Sequence, residues 1–182
     1  MKEVIFKGCG TALVTPFTAD GINFEELRKL IEFQILEGVD SLIICGTTGE
    51  SSTMSLEEKK SVIEFSIKIA NERVPIIAGT GGNNTKDVIE LSKYAQKVGA
   101  NALLLVTPYY NKTTQNGLIY HYKKIAESVN IPIILYNVPS RTGINIEPET
   151  CLELSKIPNI VAIKEASRKS FTSCKNCKSL QG

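Results

Sequence analysis

Six apolar runs recur along the chain: "GTALVTPF", "DSLIICGTT", "VPIIAGTG", "ANALLLVTPYY", "IPIILYNVP" and "NIVAIKEAS". Each is continuous and not alternating, the pattern of parallel strands covered on both faces. Their spacing of about 30 residues is the length of one strand–helix unit. The segments between them have helical period. Val88, Leu91, Ala95 and Val98 share one helical face, as do Leu118, Tyr122, Ile125 and Val129. Asn23 with Glu26, and Ser55 with Glu58, form capping-box-like starts, and Pro148 suits the first turn of a fifth helix. Strict alternation of this kind admits two architectures, a doubly wound open sheet or a (β/α)8 barrel.

The polar residues choose between them. A dinucleotide-binding unit wants G-x-G-x-x-G directly after a strand, and "GTGGNNT" lacks that spacing and reads as an Asn-rich turn. Polar side chains gather instead after strand after strand: Thr47-Thr48, Tyr109-Tyr110, Tyr136-Asn137, Arg141 and Lys164-Glu165. In a (β/α)8 TIM barrel all of these positions open onto one face, where active sites are assembled from several strand ends. The expected fold is therefore α/β, a TIM barrel of which about six βα units are present.

Charge and cysteine content exclude other classes. The net charge of +2 comes from the C-terminal 15 residues, where Arg168, Lys169, Lys175 and Lys178 face no acid. The remaining 17 basic residues meet 19 acidic ones, so the body of the chain sums to −2 and no nucleic-acid surface is expected. No run approaches the roughly 18 apolar residues of a membrane span, and "MKEVIFKGCG" is not a secretory signal. A cytoplasmic protein with no membrane partner is expected. Five cysteines, an odd number, argue against a disulfide framework. Cys9, Cys45 and Cys151 lie in apolar contexts and read as buried and inert. Cys174-Lys-Asn-Cys177 is half a zinc site without a second half, so no metal is expected.

Lys164 ends an apolar strand. Partial desolvation would lower its pKa and free an amine for Schiff-base formation with a keto substrate. A lysine snorkelling to solvent, or paired with Glu165, is the competing interpretation. Tyr136 could relay the protons of such a reaction, or be core with a satisfied hydroxyl. "CGTTGES" offers two threonine hydroxyls and backbone amides at a strand–helix junction, a cradle for a carboxylate. Arg141, in "NVPSRTG", could clamp a second carboxylate or be a solvated surface arginine. Together these residues point to a carbonyl-condensing lyase that needs no cofactor.

"GTTGES", "AGTGGNNT", "TPYYNKTTQNGL", "YNVPSRTG" and "VAIKEAS" resemble the motifs of the dihydrodipicolinate synthase (4-hydroxy-tetrahydrodipicolinate synthase) family, in that family's order and spacing, over about residues 5–167. The resemblance implies a class I aldolase-type enzyme of lysine and diaminopimelate biosynthesis that condenses pyruvate with L-aspartate-4-semialdehyde. It implies Lys164 as the Schiff-base lysine and Tyr136 as the proton relay, with Thr47 and Tyr110 as relay partners. In the family the tyrosine matched by Tyr110 crosses from a neighbouring subunit, which implies a homodimer, usually within a homotetramer. Thr48 matches the pyruvate-carboxylate contact and Arg141 the residue that orients the semialdehyde. Asn83 and Tyr109 match positions of an inhibitor pocket, in which Leu56 and Lys59 replace histidines of some members. Sibling aldolases of N-acetylneuraminate or 2-keto-3-deoxy sugar acids share the lysine and tyrosine; Arg141, the double threonine and "PYYNK" favour the synthase.

Residues 168–182, "RKSFTSCKNCKSLQG", depart from the family pattern and keep only Phe171 and Leu180 as substantial apolar anchors. The expectation is a partial barrel over residues 1–167 and an unrelated, disordered tail from out-of-frame translation, a C-terminal truncation. A genuine short regulatory or binding protein is the alternative. The reading frames of the gene beyond codon 168 decide between them.

Overall fold

The computed structural model describes residues 4–167. Its framework is one sheet of six parallel strands: β1 (Gly10–Ala12), β4 (Ser41–Ile44), β5 (Ile76–Gly79), β6 (Ala102–Val106), β7 (Ile133–Asn137) and β8 (Ile160–Glu165), neighbours in that order. The expected strand near "GTALVTPF" is shorter than the apolar run. Phe17–Thr18 (β2) leaves it to pair antiparallel with Gly21–Ile22 (β3), a small hairpin that closes over Gly21 at φ 128°. Helices α1 (Phe24–Leu36), α2 (Leu56–Ala70), α3 (Thr85–Val98), α4 (Gln115–Ala126) and α6 (Pro148–Ser155) lie between strands, and a four-residue helix α5 (Pro139–Thr142) follows β7.

The helix starts form where the capping residues predicted them. Ser55 Oγ accepts from the Glu58 N–H while Glu58 Oε2 accepts from the Ser55 N–H, a complete capping box on α2. Asn23 accepts from the Glu26 N–H on α1, and Pro148 occupies the first turn of α6. Two separate apolar layers result. Leu42, Ile44, Ile76, Leu103, Leu105, Ile133 and Leu135 meet the helices in the larger core. Ile43, Ile77, Ala102, Leu104, Ile134, Tyr136 and Val138 form a smaller core on the inner, concave side. Continuous apolar strands are the sequence signature of this double coverage.

Two glycines let the strand ends approach. A Cβ on Gly79 would lie 2.2 Å from the Cys45 carbonyl oxygen, and one on Gly81 would lie 2.4 Å from the Val106 nitrogen. Cys45 itself adopts φ 55°, turning the chain out of β4 toward "GTTGES".

Cys45 and Cys151 are buried, and burial pushes the Cys45 thiol up to about 12, which makes it inert. Cys9 is a correction: it is exposed, because it lies just before the first paired residue of the strand at the sheet's edge, and its N–H is taken by Asp40 Oδ2 at 2.7 Å. Among the described residues, no helix is long and apolar enough to cross a membrane. The expected tail, with Phe171, Cys174, Cys177 and Leu180, lies outside the described residues.

Candidate active site

β7 and β8 pair so that Tyr136 stands beside Lys164 and Asn137 beside Glu165. The Lys164 Nζ lies 4.6 Å from the centroid of the Tyr136 ring. Tyr136 is 7% exposed and belongs to the inner core, so the lysine amine is presented on the concave face at the carboxyl end of the sheet. The Lys164 side chain as a whole remains exposed, yet its surroundings desolvate the amine enough to lower its pKa below the ordinary lysine value. It makes no ion pair among the described residues. Glu165 lies on the opposite face, where both of its oxygens accept from Asn137 Nδ2, at 3.1 and 3.0 Å. The Lys164–Glu165 pair weighed from the sequence does not form.

Thr47 joins Tyr136 in lining a small cavity of about 30 Å3, together with Cys45, Gly79 and Val106. Thr47 also joins Arg141 around a larger opening of about 200 Å3. The two spaces share Thr47, Ser51, Gly81 and Val106, so relay candidate and arginine flank adjoining volumes. Arg141 sits on α5, whose Thr142 hydroxyl donates to the Ile144 carbonyl at 3.1 Å and fixes the loop that follows. In "GTTGES" the Gly49 and Glu50 amides donate to Gly46 and Thr47 carbonyls at 3.1 Å each. A carboxylate cradle there is thereby narrowed to Thr47 and Thr48. Thr48 is exposed and is not among the residues lining these two cavities.

Tyr110 is not drawn into the site. It is 91% exposed and adopts φ 71°, and its ring is turned out into solvent. Sequence reasoning also passed over Ser51 and Ser52, which place hydroxyl-bearing residues on the 200 Å3 cavity. Their signal was the small polar run Ser51-Ser52-Thr53, two residues beyond the double threonine. Leu56, Lys59, Asn83 and Tyr109 gather, with Asp87, around a further space of about 360 Å3 that shares Gly81 and Tyr109 with the 200 Å3 cavity. Asn83 Nδ2 donates to the Tyr109 carbonyl at 3.2 Å and holds that wall in place.

A parallel sheet with helices outside, and a partly desolvated lysine against a tyrosine at the carboxyl end of its inner face, is the arrangement of an α/β barrel-type protein with its polar strand ends on one face. The profile of the Dihydrodipicolinate synthetase family matches residues 5–181, and the chain belongs to that family. It is 62% identical over 167 residues to a 4-hydroxy-tetrahydrodipicolinate synthase of Acetivibrio thermocellus, covering 92% of this chain and 57% of the relative. It superposes with a TM-score of 0.94 on dihydrodipicolinate synthase from Aquifex aeolicus, at 46% identity, covering 96% of this chain and 60% of the other. The same TM-score, at 50% identity, relates it to a chloride-inhibited dihydrodipicolinate synthase from Acinetobacter baumannii complexed with pyruvate, covering 98% of this chain and 62% of the other. The chain thus spans a little over half the length of the curated relatives it matches.

Proposed function

We propose that this chain carries the Schiff-base machinery of 4-hydroxy-tetrahydrodipicolinate synthesis, the condensation of pyruvate with L-aspartate-4-semialdehyde in lysine and diaminopimelate biosynthesis. The observation that supports it most is the desolvated Lys164 amine 4.6 Å from the Tyr136 ring at the carboxyl end of the sheet. The neutral amine adds to the pyruvate ketone to give a carbinolamine. Protonation of its hydroxyl and loss of water give the iminium, and a proton leaves the methyl carbon to give the enamine. The enamine carbon then attacks the semialdehyde carbonyl, whose oxygen is protonated, and the semialdehyde's amino group adds to the resulting iminium and displaces the Lys164 amine, closing the ring and freeing the lysine.

Tyr136 is the proton carrier in this scheme, with Thr47 beside it and Tyr110 as the third relay group. Thr48 holds the pyruvate carboxylate, and Arg141 orients the semialdehyde from the rim of the 200 Å3 cavity. A homodimer, within a homotetramer, is the assembly that the family resemblance implies, and the outward-facing Tyr110 ring fits a role in a neighbour's site. The pyruvate bound in the Acinetobacter enzyme supports the same substrate, and relatives that are 4-hydroxy-tetrahydrodipicolinate synthases support the same product. A cytoplasmic setting fits an enzyme of amino-acid biosynthesis.

Borohydride reduction of the chain in the presence of pyruvate tests this directly. The expected result is one covalent pyruvyl adduct, located on Lys164 by peptide mass spectrometry. An unmodified chain, or an adduct spread over surface lysines, would sink the proposal.

A further inference from the structure

β8 carries one residue more than its partner strand can match. Ile133 pairs with Ile160, but Ile134 pairs with Ala162, leaving Val161 as a bulge. The consequence is a change of face. Ile160 lies in the helix-facing core, whereas Ala162, two residues on, packs with the inner core. In a regular strand the two would share a face. Lys164 follows the parity of Ala162 and therefore points inward. Without the bulge Lys164 would align with Asn137 and face the helices. A one-residue slip reverses every side chain, and Ile160–Ile163 is too uniformly apolar to specify one register strongly.

The polar end of the strand pair makes the choice. Asn137 is fully buried, and its amide is committed on both sides. Its Oδ1 accepts from the Ile146 N–H at 3.0 Å, while Nδ2 donates to Asn145 Oδ1 at 2.9 Å and to both Glu165 oxygens. Glu165 Oε1 also accepts from the Ser167 N–H at 2.8 Å. The loop that Asn137 grips is itself held by Gln115, which donates to the Asn145 carbonyl at 2.8 Å and accepts from the Glu147 N–H at 3.2 Å. A slip of β8 would separate Glu165 from Asn137 and leave one of the two N–H groups of a buried amide unpaired, a costly state.

We propose that Asn137 and Glu165 are positioning residues, a register lock that works with the Val161 bulge to keep Lys164 on the inner face against Tyr136. Neither touches the reacting atoms. The inference rests on the Schiff-base proposal for its use, but its geometry can be tested separately.

The experiment uses the whole 182-residue chain with 13Cε-labelled lysine. In the parent, the Lys164 methylene resonance is expected to be displaced by the Tyr136 ring current and to titrate below the surface lysines. Asn137→Asp keeps the bond from the Ile146 N–H but sets carboxylate against carboxylate. It is expected to erase the displacement, return the titration to the surface-lysine value, and cut pyruvate trapping about tenfold or more. The double variant N137D/E165Q reverses the polarity of the bond, with a Gln amide now donating to the Asp, and keeps the pair's net charge. It is expected to restore resonance, titration and trapping together.

A double variant no better than N137D in these readouts, including one that fails to fold, overturns the lock. So does an N137D chain that keeps the parent resonance, or a parent without the displacement. If the resonances behave as expected while pyruvate is trapped on none of the three chains, the lock stands and the Schiff-base proposal falls.

Discussion

Desolvation of the Lys164 amine means that its nucleophilic, neutral form gains population before an ordinary lysine would, which titrates at 10.5. The yield of pyruvate trapped in a short fixed time is expected to climb as pH rises from neutrality toward that value, and Lys164→Ala should trap nothing by intact mass. The same shift acts on stability with a defined sign. Between the lowered folded pKa and 10.5 the unfolded chain binds more protons, so Lys164 costs stability at neutral pH and the cost fades as pH rises. Lys164→Met is therefore expected to raise Tm at pH 7 and to leave it unchanged near pH 11. Tyr136→Phe retains the ring wall but removes the hydroxyl; imine formation, followed by stopped-flow absorbance, is expected to slow about 100-fold. His121 titrates in a different window. Burial pushes it down to about 4, with Thr85 Oγ1 2.8 Å from its Nδ1. The folded chain is then expected to lose stability as pH falls from about 6.5 to about 4, by about 3 kcal/mol at the limit, and His121→Gln to flatten that slope in urea titrations.

At the scale of elements, the strand ends are held by close approaches that the sequence signals only in part. Gly79→Ala would drive a methyl into the Cys45 carbonyl at 2.2 Å. A loss of about 2 kcal/mol in chemical unfolding is expected, with displacement of Thr47 two residues along. Ser55→Ala would open the α2 capping box for about 1 kcal/mol and should leave pyruvate trapping unaltered. Helix starts were legible because capping is local, a matter of residues three apart. Lys164 was legible as a strand-terminal amine for the same reason. Its direction was not: an apolar run without alternation carries no parity, and the bulge at Val161 exists only against β7. Cys9 was misread likewise, because its apolar flanks do not tell that β1 is an edge strand. The β2–β3 hairpin was hidden because its first residue, Phe17, ends a run that looked like a single strand.

For the molecule as a whole, β1 and β8 each have one strand neighbour among the described residues, while the inner core spans the sheet between them. Unpaired edges beside an apolar concave face favour association. The purified 182-residue chain is expected to give low synthase turnover and a concentration-dependent mass in light scattering; a monodisperse chain with steady turnover, abolished by Lys164→Ala, would contradict this. Such association has a built-in optical gauge. The chain contains six tyrosines and no tryptophan, so beyond the shorter-wavelength phenylalanine bands its near-ultraviolet absorbance is tyrosine alone. Tyr122 and Tyr136 are already shielded within the chain, whereas Tyr110 stands almost wholly in water on a left-handed backbone turn. Entry of that one ring into a neighbour would shift the second-derivative absorbance to longer wavelength. Assembly could thus be followed without label or substrate, with Tyr110→Ser as the silent control.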